Sequence, residues 1–570
     1  MDFKTFLENF DAIAEAPGGI PKLRSLILDL AVRGKLVPQN PQDKSADSLL
    51  EEIKFEKAQF IKNNKLGRDK PVEPITLDDL PFEIPKNWIY SRIGELFVLS
   101  SGTTPSRTKQ EYFINGTESW VKTTDLNNGI VLRCEEKITK QAVSDCNLKY
   151  YPSRTICIAM YGGAGTIGKS GILGIKTTIN QSVCGIYPSS YVVPEFLHIY
   201  VKSIRPTWMK FAAGLRKDPN INAGIIRNMI FPLPPLAEQK RIVAKVDELM
   251  GLCDRYEAAK QTRDKLRQKL RESAIASLMN AETDEELDSA WAFVRNNWQN
   301  LSQQPEDVGS LRKTILQLAV RGKLVPQNKD DETLDALLTK AEQYQPKYKP
   351  TEKDYIADTI NEAYSTFYEL PLSWQWVRLR ELSSSMTNGL YKPARFYSDK
   401  GIASIRMFNI QDGQLLLNHL KRVEVTEEEY STYQLSWGDI IVNRVNSREL
   451  VGKAAIVDVV NEPMVYEAMN IRVKLIPGVT FPHYINLVLL NENSRQLFFN
   501  VAKQASGQAS ISQPQVGSLP IPLPPLAEQK RIVTKVDELM KLCDQLEASL
   551  RQSQQRAESL AASAISHLTI

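Results

Sequence analysis

The feature that most constrains this fold is a segment that the chain contains twice, PLPPLAEQKRIVAKVDELMGLCD at 232–254 and PLPPLAEQKRIVTKVDELMKLCD at 522–544. Its apolar residues recur every three or four positions, the period of a helix that buries one face. In the first copy this apolar seam consists of Ile242, Val246, Leu249, Cys253 and Tyr256. The second copy extends it through Ile532, Val536, Leu539, Cys543, Leu546, Leu550, Ala557, Leu560 and Ala564. The second copy predicts a helix of about 45 residues and about 66 Å, and we expect the seams of the two copies to cover each other.

A second repeat indicates that the whole chain is a tandem duplication. LRSLILDLAVRGKLVPQN at 23–40 returns as LRKTILQLAVRGKLVPQN at 311–328, with the same residue at 15 of 18 positions. The two repeats are separated by nearly the same number of residues, as a duplication requires. Each half therefore reads as a short amphipathic helix, a polar and exposed linker (62–74 or 342–354), a variable insert and a long helix.

The two variable inserts, 88–231 and 374–521, barely resemble each other apart from their ends. Both are rich in β-branched and aromatic residues interrupted by Gly, Asn and Pro, as in RTICIAMYGG, SVCGIYP, GDIIVNRVN and NIRVKLIP. These runs predict short strands and hairpins, with helices at EFLHIYVKSI and HYINLVLLNENSRQLFFNVAK. The predicted fold class is α+β, in which a repeated helical frame carries two mixed, strand-rich inserts of different content.

Charge is distributed unevenly along the chain. The whole chain has a net charge of +4, the insert 88–231 has +8 and the insert 374–521 has +2, which leaves −6 for the remainder. A positive excess confined to the inserts is expected if they face phosphates. Chance variation on a solvated surface is the alternative, and for the second insert it explains the charge nearly as well.

Composition and motifs exclude several classes of protein. No apolar run approaches the length of a membrane span, and the N-terminus MDFKTFLENFDAIAEAP is too acidic for a signal peptide. Six cysteines without CxxC spacing and four isolated histidines argue against disulfides and zinc. We therefore expect a cytoplasmic protein without a bound metal. The sequence contains no recognisable nucleophile–base pair or cofactor fingerprint, which favours a binding protein over an enzyme.

Loops of both inserts carry Arg, Lys, Thr, Tyr and Asn among glycines, a composition suited to contact with DNA. Glycine lets the backbone approach a phosphate, Arg and Lys bind phosphates or guanine, and Asn and Gln bind adenine. The loops are 101–109, 121–128, 160–170 and 214–222 in the first insert, and 388–396, 405–413, 442–450 and 503–513 in the second. The candidate DNA-binding residues in and beside them are Arg107, Lys109, Lys122, Thr124, Tyr161, Lys169, Arg216, Lys217, Tyr391, Lys392, Arg395, Arg406, Arg444, Asn446, Arg448, Lys453 and Gln504.

One loop also satisfies the nucleotide-binding pattern GxxxxGK[ST], as GAGTIGKS at 163–170. A phosphate-binding loop of that kind must open a helix, whose positive end holds the phosphate. The residues that follow, SGILGIKTTINQ, are rich in glycine and β-branched side chains and predict a strand. We therefore interpret the loop as a hairpin, and ATP binding by the isolated chain would separate this interpretation from a nucleotide-binding enzyme.

The paired PLPPLAEQKRIVxKVDELMxLCD and LAVRGKLVPQN segments resemble the conserved regions of the specificity (S) subunit of type I restriction–modification enzymes, in the branch with larger S subunits. The resemblance covers the whole chain. It implies two target-recognition domains that each read one half of a split, asymmetric DNA site and are separated by a pair of long antiparallel helices. The implied domains are an N-terminal conserved region (1–87), a first recognition domain (88–231), a central conserved region (232–373), a second recognition domain (374–521) and a C-terminal conserved helix (522–570).

The same resemblance implies that this chain is not catalytic and that partner chains perform the chemistry. The expected partners are double-stranded DNA, two modification subunits that bind S-adenosylmethionine and methylate adenine, and restriction subunits that use ATP and Mg²⁺. No cofactor is expected on this chain, which would act beside DNA in the bacterial cytoplasm. Two alternatives stay open at this point: a P-loop nucleotide-binding enzyme, and a coiled-coil scaffold without DNA contact.

The long helices would then set the distance between the two recognition domains. Between Tyr256 and Leu270 the first long helix loses its apolar seam, because Lys260, Arg263 and Arg267 occupy the expected positions. We therefore expect this stretch of the helix to tolerate added length.

Overall fold

The structure is a computed structural model that describes residues 10–64, 71–162, 165–211, 220–344, 368–505 and 507–569. The chain divides into two compact units, one formed by 1–264 with 554–570 and the other by 265–553. Both boundaries fall inside the repeated long helices. Each unit therefore contains the first part of one long helix and the last part of the other, which is the arrangement that an antiparallel pair requires.

Helices form the frame and the ends of the inserts. In chain order they are α1 (Gly19–Val32), α2 (Ala46–Asn63), α3 (Ile93–Leu96), α4 (Lys140–Asp145), α5 (Pro194–Ser203), α6 (Trp208–Phe211), α7 (Ala223–Asn228), α8 (Leu236–Asn280), α9 (Asp284–Leu301), α10 (Val308–Val320), α11 (Leu334–Tyr344), α12 (Glu427–Tyr433), α13 (Pro482–Leu490), α14 (Glu492–Val501), α15 (Gln513–Gly517) and α16 (Leu526–Thr569). Among the described residues, no helix combines the length and apolar character needed to cross a bilayer.

The strands lie in the inserts. Those of the first insert are β1 (Ile89–Arg92), β2 (Leu99–Ser101), β3 (Glu118–Val121), β4 (Ile130–Val131), β5 (Lys137–Ile138), β6 (Ile156–Ala159), β7 (Ser170–Leu173), β8 (Thr178–Ile179), β9 (Val183–Ile186) and β10 (Ile230–Leu233). Those of the second are β11 (Gln375–Arg378), β12 (Ser383–Asn388), β13 (Tyr397–Ser398), β14 (Ile402–Ile405), β15 (Ile410–Gln411), β16 (Gln414–Leu415), β17 (Lys421–Val423), β18 (Ile440–Asn443), β19 (Val445–Asn446), β20 (Ala454–Ile456), β21 (Met464–Tyr466), β22 (Asn470–Leu475), β23 (Lys503–Ala505), β24 (Gln508–Ser510) and β25 (Pro520–Leu523).

The predicted long helices are confirmed as α8, with 45 residues, and α16, with 44. In the first unit, the seam of α8 from Ile242 to Cys253 is buried in one hydrophobic cluster with α1 and with the insert helix α5. Among the side chains that the structure describes, the other long helix contributes only Ala557 and Ala561 to that cluster. In the second unit, the seam of α16 is buried in the same way with α10 and α13, and the end of α8 contributes Ala274 and Leu278. The two seams therefore do not cover each other along their length. Each is covered mainly by the short helix and the insert helix of its own unit, and by the other long helix only near the end of that helix.

One predicted seam residue of α16 is misplaced. Leu560 is 66% exposed, whereas its neighbour Ala561 is 1% exposed and lies in the core of the first unit. The side chain of Ala564 lies outside the described residues. A small residue faces the core at this point, and the larger leucine next to it points to solvent.

Buried polar side chains at the start of each long helix bind the backbone of the insert. The carboxamide oxygen of Gln239 accepts a hydrogen bond from the Val193 N–H, at the start of α5, at 2.8 Å. In the second unit, Gln529 accepts one from the Phe481 N–H at 2.7 Å and donates to the Val479 carbonyl at 3.2 Å. Both glutamines are fully buried. The repeated segment therefore holds the inserts by their main chain.

Glu528, which precedes Gln529 in the chain, is a buried carboxylic acid whose titration should affect the stability of the protein. One oxygen of Glu528 accepts hydrogen bonds from Gln327 at 2.6 Å and Trp374 at 3.0 Å. The other oxygen is buried and has no hydrogen-bond partner among the described residues. Burial raises the pKa of Glu528 above its ordinary value. The folded chain therefore holds this proton more tightly than the unfolded chain does.

We expect Glu528→Gln to stabilise the protein at pH 8 by about 1 kcal/mol, because the amide keeps the accepting oxygen and removes a buried charge. A raised folded-state pKa makes stability fall as pH rises through it, starting near the unfolded carboxyl value of about 4.3. The substitution should abolish that fall. Urea unfolding between pH 4 and 8 measures the free energy of unfolding of both proteins. The control is Glu538→Gln, which changes an exposed carboxylate on the same helix. Equal pH slopes in both variants would contradict the assignment.

The two inserts share one strand framework although their sequences barely match. The first has a five-stranded sheet in the order β2-β9-β6-β7-β4 and a three-stranded sheet β5-β3-β8. The second has β12-β22-β18-β20 and β13-β17-β14-β21. The first insert contains two parallel pairs of strands, β3 with β8 and β4 with β7, and the second contains one, β14 with β21. An antiparallel pair, β1 with β10 or β11 with β25, joins the two ends of each insert. The predicted mixed α+β fold is confirmed.

Directly before the linker, each half contains a helix that was not predicted from the sequence. These helices are α2 and α11, which end at Asn63 and Tyr344. Much of the predicted linkers, 65–70 and 345–354, lies outside the described residues. The end of the first linker is held in place, because the Arg92 guanidinium donates to the carbonyls of Glu73 at 3.1 Å and Pro74 at 3.0 Å.

Candidate nucleic-acid interface

In the first insert, four loops leave the sheets at the same edge. The end of β6 lies beside the start of β9, since Ala159 pairs with Val183, and beside the start of β7. β2 ends at the same edge, because Ser101 pairs with Cys184. The parallel strands β3 and β8 end there too, and their ends are joined by a hydrogen bond from the Asn180 N–H to the Val121 carbonyl. The edge therefore gathers loops 102–109, 122–129, 160–169 and 180–182.

The second insert builds the same edge from its own strands. β12 ends beside the start of β22, where Asn388 pairs with Ile471, and Asn443 at the end of β18 pairs with the first residue of β22. The Ile511 N–H donates to the Arg444 carbonyl at 2.9 Å, which brings the last predicted loop to the same place. The edge gathers loops 389–396, 406–409, 444–453, 467–469 and the segment around 507–511.

A glycine allows the backbone to cross each edge closely. A Cβ on Gly102 would lie 1.8 Å from the Ile179 carbonyl oxygen, and one on Gly389 would lie 2.2 Å from that of Glu467. Since no side chain fits at such distances, these positions require glycine. In both inserts, the loop after the first strand of the sheet therefore begins with a glycine that passes close to the main chain of a neighbouring segment.

The candidate residues of the first edge are held by ionic and ring contacts. Arg107 and Lys122 both bind Glu136, each with one contact of 2.9 Å, and Arg107 also lies 4.6 Å over the Phe113 ring. The Arg107 contact holds the pKa of Glu136 below its ordinary value, and Lys122 adds to the effect. Sequence analysis missed Glu136, which is far from both cations in the chain and carries no motif. This carboxylate orders two loops whose cations stay partly exposed.

The other candidates of the first edge differ in their surroundings. Lys109 lies 5.0 Å over the Tyr112 ring, Thr124 is exposed, and the exposed Tyr161 accepts a hydrogen bond from Asn220 at 2.7 Å. Lys169 is half-buried at the end of the β6–β7 turn. Arg216 and Lys217 lie outside the described residues.

At the second edge, two candidates are paired with carboxylates. Lys392 binds Glu429 at 2.8 Å, which lowers the pKa of that carboxyl, and Arg406 binds Glu467 at 3.1 Å. Lys392 and Arg395 both lie against the Phe396 ring, at 4.9 and 5.1 Å. These contacts fix the loops. Arg395 is exposed and Arg406 is partly exposed, whereas the side chain of Lys392 is only 14% exposed.

The remaining candidates of the second edge are Tyr391, Arg444, Asn446, Arg448, Lys453 and Gln504. Tyr391 is 77% exposed and Gln504 is exposed. Asn446 donates to the Asn443 side chain at 2.8 Å, and Arg448 lies 4.3 Å over the Phe499 ring. The Nε of Arg444 is buried and has no hydrogen-bond partner among the described residues. Arg444 is therefore a cation at the edge whose charge no described carboxylate neutralises.

The glycine-rich loop that matches the nucleotide-binding pattern is a hairpin. Ser170 begins strand β7, which pairs antiparallel with β6, so no helix follows the loop. The predicted strand is confirmed, and the turn has no helix dipole with which to hold a nucleotide phosphate. The described part of the chain also contains no group of three or more His, Cys, Asp or Glu side chains placed to bind a metal.

Comparisons with known proteins agree with this architecture. A family model described as Type I restriction modification DNA specificity domain matches residues 85–263 and 371–554. The Type I restriction enzyme EcoEI specificity subunit of Escherichia coli is 29% identical over 568 residues, 95% of this chain and 93% of that protein. The EcoAI specificity subunit of Escherichia coli is 29% identical over 569 residues, 95% and 92% of the two chains. The crystal structure of the HsdS subunit from Thermoanaerobacter tengcongensis is 18% identical with a TM-score of 0.44, covering 86% of this chain and 98% of that one.

Proposed function

From its place in the type I restriction–modification DNA specificity family, to which this chain belongs, we propose that each insert reads one half of a split, asymmetric DNA target with its loop edge. The chain is the specificity subunit of a type I restriction–modification enzyme, recognises its DNA target with two recognition domains, and is not itself catalytic. The proposed recognition domains are 88–231 and 374–521.

The observation that carries this proposal is the convergence of the loops. In each insert, loops that are far apart in the chain leave at one sheet edge, and the candidate cations lie on them. A compact edge of this kind can enter a groove of DNA, where base edges are accessible. The buried glutamines of the frame bind the main chain of each insert. The side chains of the loops at the edge can therefore differ between proteins without a change in the position of the insert.

Two classes of contact are proposed at the edges. Lysines and arginines that are exposed or unpaired would bind backbone phosphates and supply affinity and salt dependence. Arginine, asparagine and glutamine would read base edges in the major groove. The proposed DNA-contacting residues are Arg107, Lys109, Lys122, Thr124, Tyr161, Lys169, Arg216, Lys217, Tyr391, Lys392, Arg395, Arg406, Arg444, Asn446, Arg448, Lys453 and Gln504.

The proposed partners supply the chemistry of the complex. Two modification subunits would bind S-adenosylmethionine and methylate adenine, and restriction subunits would use ATP and Mg²⁺, so that the cofactors reside on partner chains. The two Escherichia coli proteins that are similar over 95% of this chain are specificity subunits of type I restriction enzymes, which supports such an assembly. The proposed place of action is the bacterial cytoplasm, where the target DNA lies.

Arg444→Ala tests the second edge. We expect the assembled complex to lose about 1–3 kcal/mol of discrimination at one base pair of one half-site, because a bidentate arginine contributes that much to reading guanine. Affinity for unrelated DNA should change little. The measurement is equilibrium binding to a panel of single base-pair variants of the methylated target.

The matched control is Lys474→Ala, which removes a cation at the opposite end of the same sheet, near Ser383 and away from the loops. It should change neither affinity nor discrimination. An equal loss on every sequence with Arg444→Ala would make that residue a phosphate contact. Binding of the unmodified complex to all sequences with equal affinity would overturn the proposed function itself.

A further inference from the structure

One turn at the loop edge has the same hydrogen bonds in both domains. In the first domain it joins β6 to β7. The Gly168 N–H donates to the Ala159 carbonyl at 2.9 Å, and the Ala159 N–H donates to the Lys169 carbonyl at 2.8 Å. Lys169 therefore stands at a defined position, directly after the turn and at the start of the next strand.

The second domain repeats this turn between β18 and β20. Gly452 and Lys453 form the same two bonds with Asn443, each at 2.8 Å. The sequences YGGAGTIGK and RVNSRELVGK share little beyond the final Gly–Lys. Both glycines have a left-handed backbone, with φ of 73° and 78°. The same local geometry has thus been kept in two domains whose other residues differ.

Each turn is also covered by an aromatic ring and an arginine from a following helical segment. A Cβ on Gly168 would lie 3.1 Å from the Trp208 ring and 3.2 Å from the Arg205 side chain. In the second domain, a Cβ on Gly452 would lie 2.5 Å from the Phe498 ring. Arg495 precedes that ring by three residues, as Arg205 precedes Trp208.

The two arginines bind the turns through carbonyl groups. Arg205 donates to the Gly165 carbonyl at 3.0 Å. Arg495 donates to the Glu449 carbonyl at 2.8 Å and the Val451 carbonyl at 3.1 Å. Each turn therefore contains a lysine at its end and is bound by an arginine from a following helical segment.

These cations lack neutralising partners. Within the described ranges, Lys169, Arg205, Lys453 and Arg495 form no ion pair, and all four are half-buried. Burial lowers the pKa of Lys453, the charge of Arg495 lowers it further, and Asp412 has a smaller opposite effect. Lys453 and Arg495 are therefore near each other, partly desolvated and not neutralised, which suits the pair to an anion. Lys169 and Arg205 occupy the corresponding positions at the first turn.

We infer that each pair, Lys169 with Arg205 and Lys453 with Arg495, binds one backbone phosphate of the DNA target and holds its domain in register regardless of sequence. The inference rests on the proposed function. The turn with its lysine and arginine is found in both domains, although their other residues differ. It should therefore bind a feature that the two half-sites have in common. The half-sites differ in their bases and share the phosphate backbone, and phosphate contacts position a protein without reading sequence.

The test combines lysine substitutions with neutral phosphates in the DNA. Methylphosphonates are placed one at a time along the methylated target, and binding by the complex of this chain with its modification subunits is measured. With the unmodified chain, we expect one position in each half-site where affinity falls roughly tenfold, the value of one charge-assisted contact. Lys169→Ala should abolish the sensitivity in one half-site only, and Lys453→Ala in the other half-site only.

The salt dependence gives a second readout. Each lysine substitution should reduce the slope of log K against log salt by about 0.9, leaving the recognised sequence unchanged. The controls are Lys176→Ala, which is exposed at the opposite end of the first insert's sheet, and Lys474→Ala. Thermal unfolding checks that all four variants are folded.

The outcomes separate this inference from the function on which it rests. If the complex binds its target specifically but no phosphate position couples to either lysine, the phosphate pairs are overturned and the proposed function stands. If the complex has no specific target, the proposed function fails. Displacement of DNA by millimolar ATP or inorganic phosphate in the unmodified complex, but not in Lys169→Ala, would assign the turn to a free phosphate ligand and also overturn the inference.

Discussion

Inserting four residues after Asp264 in α8 is expected to lengthen the unread gap of the DNA target by one or two base pairs, with both half-sites unchanged. Four residues add about 6 Å along a helix and keep the flanking faces nearly in phase. B-DNA rises about 3.4 Å per base pair along its axis. The site is suitable because no side chain of α8 is buried between Cys253 and Ala274. Mapping of methylated adenines in DNA exposed to the complex measures the gap.

The matched control is an insertion of two residues at the same place. It rotates the remainder of α8 by about 200°, which turns Ala274 and Leu278 out of the core of the second unit. This variant should therefore lose assembly or methylation. If the four-residue variant methylated DNA at the original spacing with full activity, the long helices would not set the distance between the two recognition domains.

Replacing residues 88–231 with the matching segment of a relative is expected to change one half of the recognised site completely and leave the other half unchanged. The frame binds the backbone of this insert at defined points, in addition to packing against its helix α5. Gln239 accepts from a main-chain N–H, and β1 pairs with β10 through main-chain bonds. A different sequence with the same strand framework can make these contacts. Methylation-site sequencing of the chimeric complex reports both half-sites.

The reciprocal exchange of 374–521 serves as the control and should change only the other half-site. Gln529 and the β11–β25 pair hold that insert in the same way. A change of both half-sites in either chimera would show that the inserts do not read DNA independently. Loss of assembly would show that side chains of the insert, and not only its backbone, belong to the frame.

The duplicated helical frame could be predicted from the sequence alone. Helix periodicity is local, so the spacing of apolar residues was sufficient to predict α16 nearly to its full length and the first part of α8. The strands β6, β9, β18 and β22 also followed from local runs of β-branched residues. The hairpin turn before Ser170 could be distinguished from a nucleotide-binding loop for the same reason, because the glycines and β-branched residues that follow Ser170 disfavour a helix.

Which residues come into contact depends on the tertiary structure and could not be predicted from the sequence. Sequence analysis placed the candidate cations on separate loops, and only strand register brought those loops to one edge in each insert. The carboxylates Glu136, Glu429 and Glu467 and the arginines Arg205 and Arg495 could not be identified from the sequence, since each is 14 or more residues from the cations or turn carbonyls that it binds. Such pairs depend on how distant segments pack, and local periodicity carries no information about that. The partner of the α8 seam was decided in the same way, by the need of α1 to bury its own apolar face.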